Sequence, residues 1–186
     1  QLAAMEKAPL GYAAKIRAKI ETLLESHYRE NFERWLETER IVCKPYFHLR
    51  PSIHPATYTD IYARSLYAAE DGDMNKLEQK LIVELTALPN VRWWHRNIAR
   101  QDFAINGFIK HYPDILIMTK SGKLICAETK GEHLKNDDSR EKIALGQAWR
   151  TAAGKDYRYY MVFENEENLL PGAVSMSQFI DTVKAL

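Results

Sequence analysis

Cysteine is scarce in this chain. Cys43 and Cys126 are its only cysteines among 186 residues, and they lie far apart. Cys126 also falls within an apolar run that we expect to form a core strand. We therefore expect no disulfide framework, and the low cysteine content favours a protein of the reducing cytoplasm.

Long apolar runs and an excess of one charge are also absent. No run reaches the roughly 20 residues that a membrane-spanning helix needs, and no signal peptide is visible. The 26 Lys and Arg residues nearly balance the 25 Asp and Glu residues, which leaves a net charge of +1. The overall charge thus requires neither nucleic acid nor a membrane as a partner, and any basic surface must be local.

A glycine-rich phosphate-binding loop is missing as well. The chain contains no G-x-x-x-x-G-K-[ST] motif, so a nucleotide-binding loop of that class is excluded here. The chain begins at Gln1 rather than at Met, which is compatible with a fragment of a longer protein. The content of 46% hydrophobic and 27% charged residues is ordinary for a globular protein.

The first 70 residues differ in pattern from the rest. Apolar residues recur at helical spacing over residues 10–40, which predicts a long amphipathic helix with a charged face. Residues 41–60 contain Pro45, Pro51 and Pro55 and predict irregular chain. Residues 58–69 are ambiguous and fit a short helix, and residues 70–73 (EDGD) predict a break. We therefore expect a helical N-terminal extension over 1–70 and a compact domain over 71–186.

The second part of the chain predicts an α/β domain. A helical crossover between the third and fourth strands predicts that these two run parallel in a mixed central sheet with helices on its faces. The predicted elements, in order, are a helix over 75–88, a strand over 90–98, strands over 115–119 and 124–127 in a hairpin, a helix from its N-cap Asp138 to residue 153, a strand over 157–164 and a helix over 176–186.

The predicted hairpin carries the strongest functional signal. Asp114 stands at the start of its first strand and Glu128 at the end of its second. Because the start of one hairpin strand lies beside the end of its neighbour, these carboxylates should approach each other. Lys130 is two residues beyond Glu128 and so projects from the same face. Like charges held partly out of water repel unless a cation lies between them.

Such a constellation suits phosphodiester hydrolysis. Mg²⁺ prefers oxygen ligands and keeps several waters, and Asp114, Glu128 and the backbone carbonyl of Thr129 supply three oxygens. Mn²⁺ is an expected substitute. Lys130 is placed to orient a water or to stabilise negative charge. A purely structural alternative stays open, in which Asp114 is a turn residue and Glu128 and Lys130 form a surface ion pair.

Glu78 is a further candidate on the preceding helix. It falls within the apolar arc of that helix, where a carboxylate is costly unless it is paired or bound to metal. It would then complete the cluster as a ligand through water or as a proton acceptor. However, Asn75 with Glu78 three residues later is also a capping-box pattern. Both interpretations stay open from the residues alone.

These residues carry a family resemblance. Pro113-Asp114 followed by Glu128-Thr129-Lys130 is similar to the PD-(D/E)xK nuclease motif. The longer run from Met74-Asn75 through residues 93–97 (WWHRN), Gly131, residues 136–139 (NDDS) and residues 157–163 (YRYYMVF) resembles the C-terminal endonuclease domain of type III restriction enzyme Res subunits. The resemblance covers residues 71–164, about half of the chain.

The resemblance implies a restriction-endonuclease-like fold and a Mg²⁺-dependent endodeoxyribonuclease. It implies that Asp114 and Glu128 are metal ligands, that Lys130 is catalytic and that Glu78 is the acidic residue of the first helix. It implies double-stranded DNA as substrate, a helicase-type ATPase motor in the same parent chain, a methyltransferase subunit as partner and a bacterial or archaeal cytoplasm. ATP would act only through that motor, whose motifs this chain lacks.

Basic and aromatic residues around the motif are secondary candidates for DNA contacts. His95 and Arg96 stand beside the presumed site, although the alternative is that they pack the sheet. Lys135, Arg140 and Lys142 follow the motif, although a merely solvated helix face fits them equally well. Two other functions remain open: a repair, junction-resolving or RNA-processing nuclease of the same fold, and a non-catalytic nucleic-acid-binding module.

Overall fold

The computed structural model describes residues 9–43 and 46–186 of the chain. These residues form an N-terminal unit up to residue 42 and a C-terminal unit over residues 43–186. Pro45, one of the three prolines from which irregular chain was predicted, lies outside the described residues. No helix in these two ranges is long and apolar enough to cross a membrane.

The described residues form helices and strands that match the predicted α/β class. A short 3-10 helix, Glu132–Leu134, follows the second strand of the hairpin. In chain order they are α1 (Pro9–Glu37), β1 (Tyr58–Thr59), β2 (Glu70–Asp71), α2 (Lys76–Ala87), β3 (Val91–Arg96), β4 (Ile105–Asn106), β5 (Lys110–His111), β6 (Ile115–Thr119), β7 (Leu124–Lys130), α3 (Asp137–Ala153), β8 (Tyr157–Phe163), β9 (Val174–Ser175) and α4 (Met176–Lys184).

The N-terminal unit is built on α1, as the helical spacing predicts. The apolar side chains Ile16, Ile20, Leu23 and Leu24 are exposed. Among residues 9–42, the described part of this unit, α1 is the only helix or strand, so no second element there packs against this stripe.

The C-terminal unit is organised around a mixed five-stranded sheet with the order β3-β6-β7-β8-β9. β6 pairs antiparallel with both β3 and β7, whereas β8 pairs parallel with both β7 and β9. The predicted parallel pairing of the third and fourth strands is therefore confirmed. α3 provides the crossover that a parallel pair requires.

The hairpin of β6 and β7 sets the register of the candidate site. Ile115 lies opposite Ala127, so Asp114 and Glu128 occupy the next positions along the two strands. Gly122 in the turn has a φ of 84°, a conformation that glycine adopts without steric cost. The local sequence therefore determines which end of the hairpin receives the two carboxylates.

Helices cover both faces of the sheet. Leu81 of α2 and Phe179 of α4 belong to one buried cluster with Val162 of β8. Tyr159 has the opposite parity on β8 and so faces the other side, where its ring approaches Gly146 of α3. A Cβ atom at Gly146 would lie 2.1 Å from that ring, so the close approach of α3 to the sheet requires glycine at this position.

The compact unit begins earlier than the sequence predicts. We expected the boundary near residue 70, but the segment before it lies along the edge strand β3. Leu66 N–H donates to the carbonyl of Trp94 at 2.8 Å, and Trp94 N–H donates to the carbonyl of Arg64 at 3.0 Å. These bonds satisfy backbone groups that an edge strand would otherwise leave unpaired. The segment has no hydrophobic periodicity, so its role was not visible in the sequence.

Several local predictions need correction. Residues 58–69 form no helix, and Glu70 of the predicted break is a fully buried residue of β2. Between the predicted strands over 90–98 and 115–119, where no further strand was predicted, the structure contains the β4–β5 hairpin, and β9 was not predicted. The N-cap of α3 is Asn136 rather than Asp138, because the Asn136 side chain accepts a bond from Ser139 N–H at 3.1 Å.

Candidate active site

The predicted site residues meet at a cleft at one end of the hairpin. The cleft has a volume of about 340 Å³. The start of α2, the residue before β6, the end of β7 and the following 3-10 helix form its walls. Its lining residues are Asn75, Leu77, Glu78, Asp114, Thr129, Lys130, Gly131, His133 and Leu134. Four of the predicted catalytic or metal-binding residues therefore share one opening.

Asp114 is held in the cleft by Thr129. Its Oδ2 accepts a hydrogen bond from Thr129 N–H at 2.8 Å and another from the Thr129 hydroxyl at 3.0 Å. The Asp114 side chain is 20% exposed. The contacts that Thr129 makes with Asp114 thus use its N–H and its hydroxyl, and metal binding by its carbonyl stays a prediction.

Glu128 lies beneath the cleft and is almost completely buried. Its Oε1 is 2.7 Å from Lys130 Nζ, as expected for residues two apart on one strand. Its Oε2 is buried and has no hydrogen-bond partner within the part of the chain that the structure describes. The pKa of Glu128 is raised to about 8: burial is the largest cause, the charge of Asp114 also raises it, and Lys130 opposes both effects.

Lys130 stays cationic beside Glu128. Burial lowers the pKa of the Lys130 ammonium, but the charge and hydrogen bond of Glu128 outweigh that effect, so the net shift is upward. The ammonium is 16% exposed and lines the cleft. It is therefore placed to interact with an anion that enters.

Glu78 makes the capping contact that the sequence offered as one interpretation, and it also pairs with Arg96. Its Oε2 accepts from Asn75 N–H at 2.8 Å, which completes the capping box at the start of α2. Its Oε1 lies 3.0 Å from Arg96 Nη2. Burial raises the pKa of Glu78, and Arg96 partly offsets this. Both carboxylate oxygens therefore already have partners in the protein.

His95 does not line the site, contrary to its candidacy for DNA contacts. It is fully buried, with Nδ1 2.7 Å from Glu70 Oε2 and Nε2 3.3 Å from Asp102 Oδ2. Both ring nitrogens thus serve the interior of the protein. The structural alternative is correct for this residue, whose partner Glu70 is 25 residues away in sequence.

The three basic residues after the motif differ in their distance from the site. Lys142 on α3 lies 3.9 Å from Glu128 Oε1 and 2.8 Å from Asp138 Oδ2. Lys135 pairs with Glu132 at 2.5 Å. Arg140 is largely exposed, 2.6 Å from Asp137. Only Lys142 of these three has a described contact with a predicted metal ligand.

His111 is a buried neighbour of the site that sequence reasoning missed. Its Nε2 lies 3.0 Å from the Tyr159 hydroxyl and 3.9 Å from Glu128 Oε2. The pKa of His111 is lowered to about 3, mainly by burial and also by the nearby charges of Lys142 and Lys130. Its position just before Tyr112-Pro113-Asp114 was the available signal, but a strand as short as β5 has no periodic pattern.

The donor set fits a hard cation with few protein ligands. Over the ranges 9–43 and 46–186, no group of three or more His, Cys, Asp and Glu side chains forms a ready metal cage. Mg²⁺ does not need one, since it commonly takes one or two carboxylates and retains waters. The unpartnered Oε2 of Glu128, beside Asp114, is an acceptor that such a cation would satisfy.

Comparisons of the chain with protein-family models, with curated proteins and with solved structures found no match. The chemistry of the cleft is therefore the basis for assigning a function.

Proposed function

We propose that residues 43–186 form a Mg²⁺-dependent endodeoxyribonuclease domain of the PD-(D/E)xK type, which hydrolyses phosphodiester bonds of DNA. One observation carries the proposal. The buried Glu128 carboxylate has an oxygen without a hydrogen-bond partner among the described residues, and it lies beside Asp114 and the cationic Lys130, beneath the cleft that these two residues line.

Each residue has a distinct role in this proposal. Asp114 and Glu128, with the carbonyl of Thr129, hold Mg²⁺ or Mn²⁺. The metal, when bound, polarises a phosphate oxygen and lowers the pKa of a bound water. Lys130 orients the attacking water and stabilises the negative charge that develops on the phosphate. Lys142 adds positive charge at the same edge, which favours the approach of a polyanion.

The order of elements supports a restriction-endonuclease-like fold for this domain. α2, β3, β6, β7, α3 and β8 follow the order helix, three strands, helix, strand, and the last two strands are parallel. By its resemblance the domain is the cleavage module of a type III restriction enzyme Res subunit. Its partners are then a helicase-type motor, which uses the ATP, and a methyltransferase subunit, all in a prokaryotic cytoplasm.

Nicking and linearisation of supercoiled plasmid test the proposal. We expect cleavage by the purified chain with Mg²⁺ or Mn²⁺ and none with EDTA. Asp114→Asn and Lys130→Ala should each reduce the rate by at least about 100-fold. Lys80→Gln is a matched control, because it removes a cation from a half-exposed ion pair with Glu164 outside the cleft, and its rate should equal that of the unaltered chain.

The outcomes separate the candidate functions. Metal-dependent cleavage that survives both Asp114→Asn and Lys130→Ala would contradict the site. Cleavage of branched DNA or RNA in preference to duplex DNA would favour a repair or RNA-processing nuclease of the same fold. DNA binding without cleavage, even after the motor and methyltransferase subunits are added, would favour a non-catalytic module.

A further inference from the structure

Arg96 joins three parts of the C-terminal unit at the edge of the cleft. It is the last residue of β3, and its side chain is only 17% exposed. Its Nη1 donates to the main-chain carbonyl of Asp114 at 2.9 Å, and its Nη2 lies 3.0 Å from Glu78 Oε1. The guanidinium thus connects the helix that carries Glu78 to the strand that carries Asp114.

The main chain before β6 is held from β3 at several points. Asn97 N–H donates to the Asp114 carbonyl at 2.9 Å. The Asn97 side chain donates to the Pro113 carbonyl at 2.7 Å. By contrast, Arg96 Nη1 is 3.7 Å from the Asp114 carboxylate. Arg96 and Asn97 therefore fix the backbone of Asp114 closely. Thr129 already holds Oδ2 of the carboxylate, so Oδ1 is the oxygen that stays available to another ligand.

Glu78 faces Arg96 rather than an open coordination position. One of its oxygens caps α2 through Asn75 N–H, and the other pairs with Arg96. A carboxylate with both oxygens in use has little left to offer a metal. Its observed contacts instead orient the guanidinium from the side of the helix.

The backbone of Arg96 is anchored from the protein interior. Glu70 Oε2, which is fully buried, accepts from Arg96 N–H at 3.2 Å and lies 2.7 Å from His95 Nδ1. Arg96 is thereby held at its main chain by Glu70 and at its side chain by Glu78. A side chain that is anchored at two points moves little, and it can therefore hold a neighbouring metal ligand in one orientation.

We propose that Arg96, oriented by Glu78, is a positioning residue that sets Asp114 for metal binding. The inference rests on the proposed metal-dependent nuclease function. This positioning role takes the place of the direct DNA contact that the sequence suggested for Arg96. It also takes the place of the metal-ligand or proton-acceptor role suggested for Glu78. Without the guanidinium, the carboxylates of Glu78 and Asp114 would face each other with no cation between them.

Mn²⁺ binding to the full chain, measured by isothermal titration calorimetry, tests the inference separately from catalysis. Arg96→Gln should weaken Mn²⁺ binding by about ten- to a hundredfold. Arg96→Lys should recover only part of this, since a single ammonium cannot make the same paired contacts. Glu78→Gln should weaken binding less than Arg96→Gln, because one amide oxygen can serve either the cap or Arg96.

Lys123→Gln is the matched control. It breaks the pair that a partly buried lysine makes with a carboxylate, at 2.6 Å from Asp156, in the same unit. The described side-chain contacts of Lys123 are with Asp156 and the Lys155 carbonyl, at the turn end of the hairpin and away from the cleft. Its Mn²⁺ affinity should remain that of the unaltered chain even if its melting temperature falls. If Arg96→Gln does not fold, the comparison of Glu78→Gln with Lys123→Gln carries the same test.

The double variant Arg96→Gln/Glu78→Gln distinguishes a coupled pair from two separate effects. If Glu78 acts through Arg96, the double variant should bind Mn²⁺ no more weakly than Arg96→Gln alone. Additive losses, or unaltered affinity in Arg96→Gln, would overturn the inference. Mn²⁺ binding by the unaltered chain with the expected loss in Arg96→Gln, but no cleavage of any nucleic acid, would support the inference and contradict the nuclease proposal.

Discussion

Glu128 is the site residue whose protonation should respond most to a bound divalent cation. Its carboxylate lies almost fully buried beside Asp114, and burial is the main cause that raises its pKa to about 8. Without metal, burial therefore shifts this group toward its protonated form compared with an ordinary glutamate, while Lys130 opposes the shift. A bound divalent cation would reverse that balance, because metal ligands must be deprotonated.

Metal affinity should consequently depend on pH. Between about pH 6 and about pH 8, Mn²⁺ affinity should rise by about tenfold per pH unit, since binding displaces one proton from Glu128, and it should level off at higher pH. Calorimetric titrations in two buffers of different ionisation enthalpy would count that proton. Glu128→Gln is the control and should bind weakly, without this pH dependence. Constant affinity of the unaltered chain across the same range would contradict the assignment of Glu128 as a ligand.

At the scale of elements, the start of α3 offers two candidate N-cap residues close together in the sequence. The pattern Asp138 followed by Glu141 predicts an N-cap at Asp138, yet the cap is Asn136, two residues earlier. Asp138 instead lies in the first turn, exposed, and pairs with Lys142 one turn later at 2.8 Å. Asn and Asp both cap helices well, so residue type does not decide between the two positions. The chain runs from β7 through the 3-10 helix and reaches the start of α3 at Asn136.

Alanine substitutions should rank these two residues by role. Asn136→Ala should lower the free energy of unfolding by about 1 kcal/mol, the usual effect of a lost N-cap. Asp138→Ala should cost only about 0.3–0.5 kcal/mol, the value of an exposed ion pair one turn apart. Urea unfolding followed by circular dichroism measures both. The opposite ranking would mean that Asp138 caps the helix in solution.

At the scale of the whole molecule, the C-terminal unit depends on residues that the sequence placed outside the domain. Glu70 pairs with buried His95, and residues 64–66 bond to the edge strand at Trp94. These contacts connect distant parts of the chain and leave few buried polar groups of β3 unsatisfied. They place residues 64–70 in the same unit as β3, and that unit begins at Cys43.

Truncation tests this boundary. A chain of residues 43–186 should unfold cooperatively, because it retains the described contacts of residues 64–70 with β3. A chain of residues 71–186 should have a free energy of unfolding lower by roughly 3–5 kcal/mol, since removing Glu70 breaks a buried pair and leaves His95 without one of its carboxylates. Urea unfolding followed by tryptophan fluorescence compares the two. Equal stability of both chains would mean that the stable domain begins near residue 70.

The sequence by itself determined the hairpin and the group it carries. Asp114, Glu128 and Lys130 meet because a two-residue side-chain period and a short glycine turn are local geometry, which acts over a few residues. The helices at residues 9–37, 76–87 and 176–184 were predictable from the spacing of their apolar residues. The parallel pairing of β7 with β8 was predictable because a helix connects the two strands.

Only the tertiary structure decided which distant residues support that group. Glu70 reaches His95 and the backbone of Arg96, Arg96 reaches Asp114, and His111 reaches Glu128. These residues lie in short or irregular segments, or at strand ends, where hydrophobic periodicity carries no information. Their roles arise because burial leaves each polar group dependent on whichever partner the packed chain brings within hydrogen-bond distance.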